Sequence, residues 1–221
     1  MSFLYNGTSV NLPTSVEELE QVANMALGMT GNNEQIQLAT AILKEVLKEA
    51  TCVQPFISLI NSSNNAGVRN IAAVLLRRKI YKFWPKLNQE LRNGIKQILF
   101  QRIFQEDQKL VSTAVAALIS EISKVAVPLN DWNDLLDQVM SLIQHVNIIQ
   151  KRVGMLLLRG IIEGAGKHYK AHFQQIQAIF LQGIQSDDFD ISQRATLAMV
   201  AVLDLINTDE EVQSFTLQVI P

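Results

Sequence analysis

Residues 68–84 read VRNIAAVLLRRKIYKFW. On a helical wheel centred on Ala72, the residues Val68, Leu75, Leu76, Ile80 and Phe83 join it on one broad apolar arc at i, i+3, i+4 spacing. Asn70, Val74, Arg77, Arg78 and Tyr81 fall on the opposite side. A helix of this kind packs on its neighbours through one face and offers a mixed basic and aromatic surface through the other. Ala72 and Ala73 let a second helix approach closely.

The pattern recurs. Ala39, Ala72, Ala114, Val153 and Ala195 can be superposed as anchors, with spacings of 33, 42, 39 and 42 residues. Apolar residues follow each anchor at +3 and +4, and again at +8 (Leu47, Ile80, Ile122, Ile161, Leu203). Helical stretches alternate along the whole chain, separated by Gly28–31, Asn61–65, Pro85, Glu106–Asp107, Pro128, Gly164–166 and Asp187–190. Helical pairs with a period near 40 predict an all-α, right-handed α-solenoid of HEAT repeats, about five helical hairpins plus part of a sixth. A tetratricopeptide array would keep a fixed period of about 34 residues and a Trp/Gly/Tyr pattern, and neither occurs here. The sequence divides into a polar, irregular lead-in at 1–13 and a repeat array at 14–221, with no strand expected. The chain ends inside a hairpin, at 209–220, which reads as part of a longer array with apolar residues Leu205, Phe215 and Leu217 left without cover.

Composition narrows the function classes. Apolar residues make up 48% and charged residues 18% of 221, with a net charge of −2. There is no bulk basicity for nonspecific nucleic-acid binding, and no apolar run reaches the roughly eighteen residues needed to span a bilayer. The single cysteine, Cys52, suits a reducing compartment. The opening residues have no basic segment ahead of an apolar one, so no secretory signal is read. His168 and His172 at i, i+4 lack further ligands at zinc-site spacing, the acids Asp187, Asp188 and Asp190 read as a solvated turn and cap, and no nucleophile elbow or phosphate loop is present. No enzyme, metal or cofactor is expected.

The stretch at 68–84, followed by Leu87, Glu90, Arg92, Ile95, Lys96, Gln97 and Leu99 in the pattern L-x-x-E-x-R-x-x-I-K-Q-x-L, closely resembles the N-terminal part of the importin-β (karyopherin-β) superfamily, in its importin four and importin five branch. The segment VPLNDWNDLL at 127–136 supports this. Most members begin each second helix with Val-Arg. Here Val68-Arg69 fits, whereas Ile191 is followed by Ser192, with Arg194 two residues on. The resemblance implies a nuclear transport receptor shuttling between cytoplasm and nucleus. Its implied partners are Ran-GTP on a concave face built from second helices, Phe-Gly nucleoporins on the convex face, and protein cargo such as ribosomal proteins or histones. No nucleic acid or membrane is implied.

The wheel positions opposite the anchors then supply candidates. For Ran-GTP these are Lys44, Asn70, Val74, Arg77, Arg78, Tyr81, Lys151 and Arg159, with Gln37, Lys48, Ser112, Ile119, Ser120, Ser123, Met155, Leu158 and Ile162 on the same expected stripe. Charge would steer a GTPase and a few desolvated contacts would hold it. The plain alternative is a solvated face. For Phe-Gly contacts the candidates are Leu135, Val139, Ile176 and Ile179, whose alternative is ordinary core. A HEAT scaffold of the phosphatase-subunit or coat-adaptor type remains the alternative function.

Overall fold

The computed structural model describes residues 2–29 and 31–205. The expected partial hairpin at 209–220, with Phe215 and Leu217, lies outside them. The chain divides into two compact units, Met1–Leu118 and Ile119–Pro221.

The first unit opens with a feature contrary to expectation. β1 (Ser2–Tyr5) and β2 (Thr8–Asn11) form an antiparallel hairpin, with Phe3 opposite Val10 and Tyr5 opposite Thr8. The turn is Asn6-Gly7, with φ of +49° and +81°. Both values lie in the left-handed region that a two-residue primed turn requires. The lead-in is therefore ordered, and β1 leans on the helix that follows the first.

Two helical hairpins come next: α1 (Val16–Ala26) packs on α2 (Asn33–Val46), and α3 (Val53–Ser62) on α4 (Ala66–Phe83). α5 (Gln89–Gln105) packs on α3, and α1 also packs on α3. Like helices thus stack on like, as a repeat array requires. The starts are fixed by side-chain caps. Ser15 Oγ accepts from Glu18 N–H, Asn32 forms a capping box with Gln35, and Asn65 and Asn88 cap α4 and α5. Pro85 ends α4 in a 3₁₀ turn, Trp84–Lys86. α3 buries Val53, Phe56, Ile57, Leu59 and Ile60, each worth at most about 1.5–3 kcal/mol of transfer free energy. α6 (Lys109–Ala126) runs across the boundary between the units.

In the second unit α7 (Leu135–Ile143) pairs with α8 (Ile148–Ala165), α9 (Phe173–Ile184) pairs with α10 (Phe189–Leu203), and α8 packs on α10. The five anchors, Ala39, Ala72, Ala114, Val153 and Ala195, are all buried. Glycines set the closest approaches. A Cβ at Gly160 would overlap the Ser120 hydroxyl, and one at Gly164 would lie 2.7 Å from Lys124 Cγ, so α8 presses its glycine face against the last turns of α6. Gly160 and Gly164 are thus packing residues inside α8, which ends at Ala165. The chain then enters a 3₁₀ stretch, Gly166–His172. With three residues per turn, His168 and His172 do not share a face. Among the described residues no helix is long and apolar enough to cross a membrane, and no group of His, Cys, Asp and Glu is placed to hold a metal ion.

Candidate functional site

The α4 stripe is the best-formed part of the candidate surface. Asn70 and Val74 are half-buried, while Arg77, Arg78 and Tyr81 are exposed, Tyr81 by 55%. The opposite side of α4 is fully packed through Val68, Ala72, Ala73, Leu76, Ile80 and Phe83. Neither Arg77 nor Arg78 is in an ion pair among the described residues, so two guanidiniums and a phenol stand ready on a rigid helix. Lys44 is exposed on α2. In the second unit Lys151 is half-buried, and Arg159 is engaged with Glu163, Nε to Oε1 at 2.6 Å.

Other positions on the expected stripe are core. Ser112, Ile119, Ser123, Met155, Leu158 and Ile162 are all buried. α6 and α8 carry small residues on several sides, so neighbouring helices close in and the buried arc is wider than on α4. The Phe-Gly candidates are buried in the same way. Leu135, Val139 and Ile176 are fully buried, and Ile179 is 7% exposed. They form the packing of α7 and α9, and an open groove is not lined by the first three.

Ion pairs that the wheel of a single helix does not reveal order this surface, buried in the first unit and part-exposed in the second. Arg69 on α4 makes a two-pronged contact with Glu106, Nε to Oε2 and Nη2 to Oε1, both at 2.9 Å, while its Nη1 donates to the Ser63 carbonyl at 2.9 Å. Arg102 adds Nε and Nη2 at 3.0 and 2.8 Å, and the Gln108 N–H donates to Glu106 Oε1 at 3.1 Å. Burial alone would raise the Glu106 pKa. The Arg69, Gln108 and Arg102 donors outweigh it and hold the carboxyl below the usual range. The second unit repeats the device. Arg152 on α8 meets Asp188, Nε to Oδ1 at 3.1 Å and Nη2 to Oδ2 at 2.6 Å, and Asp188 Oδ1 also accepts from Ile191 N–H as the cap of α10. The Arg152 hydrogen bond is the main reason the Asp188 carboxyl is held low. The acid turn at 187–190 is therefore a cap and an ion pair. Among the described residues the arginines that join one repeat to the next are Arg69 and Arg152. The missed signal was an arginine in the opening turns of a second helix, with an acid just ahead of the next one.

A cleft of about 440 Å³ opens in the second unit between the ends of α7 and α9 and the starts of α8 and α10. Ile179 and Lys151 line it.

Comparison with known proteins accords with this architecture. The model of the importin-beta N-terminal domain matches residues 39–105, and a model described as IPO5-like, TPR repeats, matches residues 113–221. The hairpins here are spaced by 33 to 42 residues, a wider range than the fixed period of about 34 that the second description implies. Importin-4 of Mus musculus is 26% identical over 175 residues, which cover 77% of this chain and 16% of that protein. A probable importin subunit beta-4 of Schizosaccharomyces pombe is 28% identical over 102 residues, covering 46% of this chain and 10% of that one. The chain therefore spans less than a fifth of the curated relatives it matches. A Kap95:Nup1 complex has a chain of the same fold at a TM-score of 0.77, with 18% identity, covering 93% of this chain and 26% of that one. Importin beta crystallised in an ammonium sulfate condition superposes at 0.74 with 16% identity, covering 91% of this chain and 26% of that one. With two adjoining importin-type models matched and the importin β fold reproduced along the array, this chain belongs to the importin-β family, of which it presents an N-terminal region.

Proposed function

We propose that this chain is the N-terminal part of a nuclear transport receptor, and that its second helices dock Ran-GTP. The observation that carries the reading is the stripe on α4. Arg77 and Arg78 are exposed and without an ion-pair partner among the described residues, with exposed Tyr81 one turn on. Arginine and tyrosine are the residue types enriched where partners bind. Lys44, Asn70 and Val74 extend this surface in the first unit, and Lys151 and Arg159 would contribute from the second. Phe-Gly nucleoporins and protein cargo complete the proposal, with shuttling between cytoplasm and nucleus. Leu135, Val139 and Ile176 are buried, which supports reading them as packing beneath the first-helix surface that a phenylalanine would meet.

The test is binding of the full-length protein to Ran loaded with GTP or with GDP, by interferometry on immobilised Ran. The expected result is a strong preference for the GTP form. The double variant Arg77→Glu, Arg78→Glu should weaken that binding by about tenfold or more with an unchanged melting temperature. Unchanged affinity would remove the two arginines from the site. No binding in either nucleotide state would favour a HEAT scaffold without Ran activity.

A further inference from the structure

The cleft in the second unit combines features that a merely solvated crevice does not need. Its floor is apolar: Ile143, Met155, Ile179 and Ile191 line it, each less than a tenth exposed. Its walls carry three carboxamides, from Gln144, Gln182 and Gln185. All three residues are exposed, and their side chains hydrogen-bond to no other group among the described residues. Lys151 also lines the cleft, half-buried and without an ion-pair partner among the described residues. The cationic neighbour Arg152 is already neutralised by Asp188 and Asp190. Asp187, the remaining charged lining residue, is exposed to solvent, so its field is screened more than that of Lys151.

The chain segments bordering the cleft are also unusual. Val146, Ile148 and Ile149, between the lining residues Gln144 and Lys151, are exposed by 93%, 42% and 42%. Phe189, between the lining residues Asp187 and Ile191, is exposed by 76%. Large apolar side chains held in water on two segments flanking one cleft mark an interaction surface. Each carboxamide offers both donors and an acceptor, which is the complement of a peptide main chain. A volume of about 440 Å³ is in the range of sites that bury a compact ligand group.

We propose that this cleft binds an extended segment of another protein. A leucine-sized side chain of that segment sits on the Ile143–Met155–Ile179–Ile191 floor. Its main chain is held by Gln144, Gln182 and Gln185, and an acidic residue next to the leucine faces Lys151. This surface is separate from the α4 stripe and does not rest on Ran binding.

The test uses methyl-labelled full chain and a defined peptide, acetyl-Gly-Gly-Leu-Asp-Gly-amide, titrated to about 1 mM, a concentration that registers even weak binding. Saturable shifts are expected at the methyls of Ile143, Met155, Ile179 and Ile191. They should disappear when the peptide leucine is replaced by alanine, and weaken several-fold when its aspartate is replaced by lysine. Lys151→Glu, a change at the half-buried rim, should reverse the preference between the aspartate and lysine peptides, with the methyl spectrum of the free protein retained as the check on folding. Absence of shifts at these four residues, shifts scattered over the chain, or equal binding of both peptides by both proteins would overturn the proposal.

Discussion

Glu106 offers the sharpest test of how the array holds together. Its side chain has no exposure to solvent and accepts four guanidinium contacts, two from Arg69 and two from Arg102, besides the Gln108 N–H. Glu106→Gln keeps the shape but removes the charge. One of its two polar ends becomes a donor, and it must then face donors. Arg69, whose side chain is 8% exposed, is left without a counter-charge. Breaking a buried pair from one side costs about 3–5 kcal/mol, which for a unit of this size lowers the melting temperature by roughly 10–20 °C. Trp84 is fully buried in the unit that holds this node, and Trp132 is buried in the other. In a Trp132→Phe background, urea unfolding followed by fluorescence therefore reads the affected unit. The double variant Arg69→Met, Glu106→Leu should recover part of the loss, since it removes the buried Arg69 charge, while Arg102, whose side chain is 16% exposed, loses its carboxylate but keeps some access to water.

The pH dependence follows from the same contacts. The folded-state pKa of Glu106 lies below its ordinary value, so the stabilisation is complete above the unfolded pKa of about 4.3. It is lost as pH falls through the lowered folded value. The parent should show this acid-labile component and Glu106→Gln should lack it. A loss for Glu106→Gln smaller than about 1 kcal/mol would class the node with exposed ion pairs and refute the reasoning.

Two glycine substitutions should have opposite signs. Gly160→Ala should destabilise by about 1–3 kcal/mol because its Cβ meets Ser120. Gly94→Ala on α5, where a Cβ meets nothing within 4 Å, should stabilise by about 0.5–1 kcal/mol; urea midpoints of the two compare them directly. Tyr169 is buried, its hydroxyl has no hydrogen-bond partner among the described residues, and burial pushes its pKa up to about 12. Tyr169→Phe should raise stability by about 1 kcal/mol, and a loss measured by thermal melting would mean that the hydroxyl is satisfied. Burial likewise raises the Cys52 thiol to about 11. Alkylation at pH 8 should run about two orders of magnitude slower than in urea-unfolded chain, and comparable rates would place the thiol in solvent.

Much of the fold is legible because a repeat array writes its core periodically. Every anchor at the centre of a second helix is buried, and Ser15 and Asn32 do the capping that their position before an apolar run suggests. The failures have identifiable causes. In 2–11 the turn signal, Asn6-Gly7, is strong, but each flanking strand has only four residues and no long alternation to announce it. A fixed wheel extends the exposed stripe from α4 to α6 and α8. That assumes every second helix has one free face. Gly154, whose Cβ would press on Ile143 and Leu142, and Gly160, against Ser120, show α8 contacted on different sides. Met155, Leu158 and Ile162 are consumed in that packing.

The ion pairs connect the buried core of each unit to its exposed surface. In each unit one acid performs two tasks. Glu106 takes the Gln108 N–H just ahead of α6 while receiving Arg69 from α4, and Asp188 caps α10 while receiving Arg152 from α8. A carboxylate at a helix N-terminus is already favoured by the free N–H groups and the helix dipole. Placing the preceding second helix's arginine on that same carboxylate ties the rotation of one helix to the start of the next. Arg69 lies about one to three turns ahead of Val74, Arg77 and Tyr81 on the same helix, α4, so the same contact sets which way that stripe faces. A substitution at Arg77 should therefore change partner binding alone, whereas one at Arg69 or Glu106 should change stability and partner binding together. Measuring both quantities on both sets of variants separates the surface that meets a partner from the contacts that aim it.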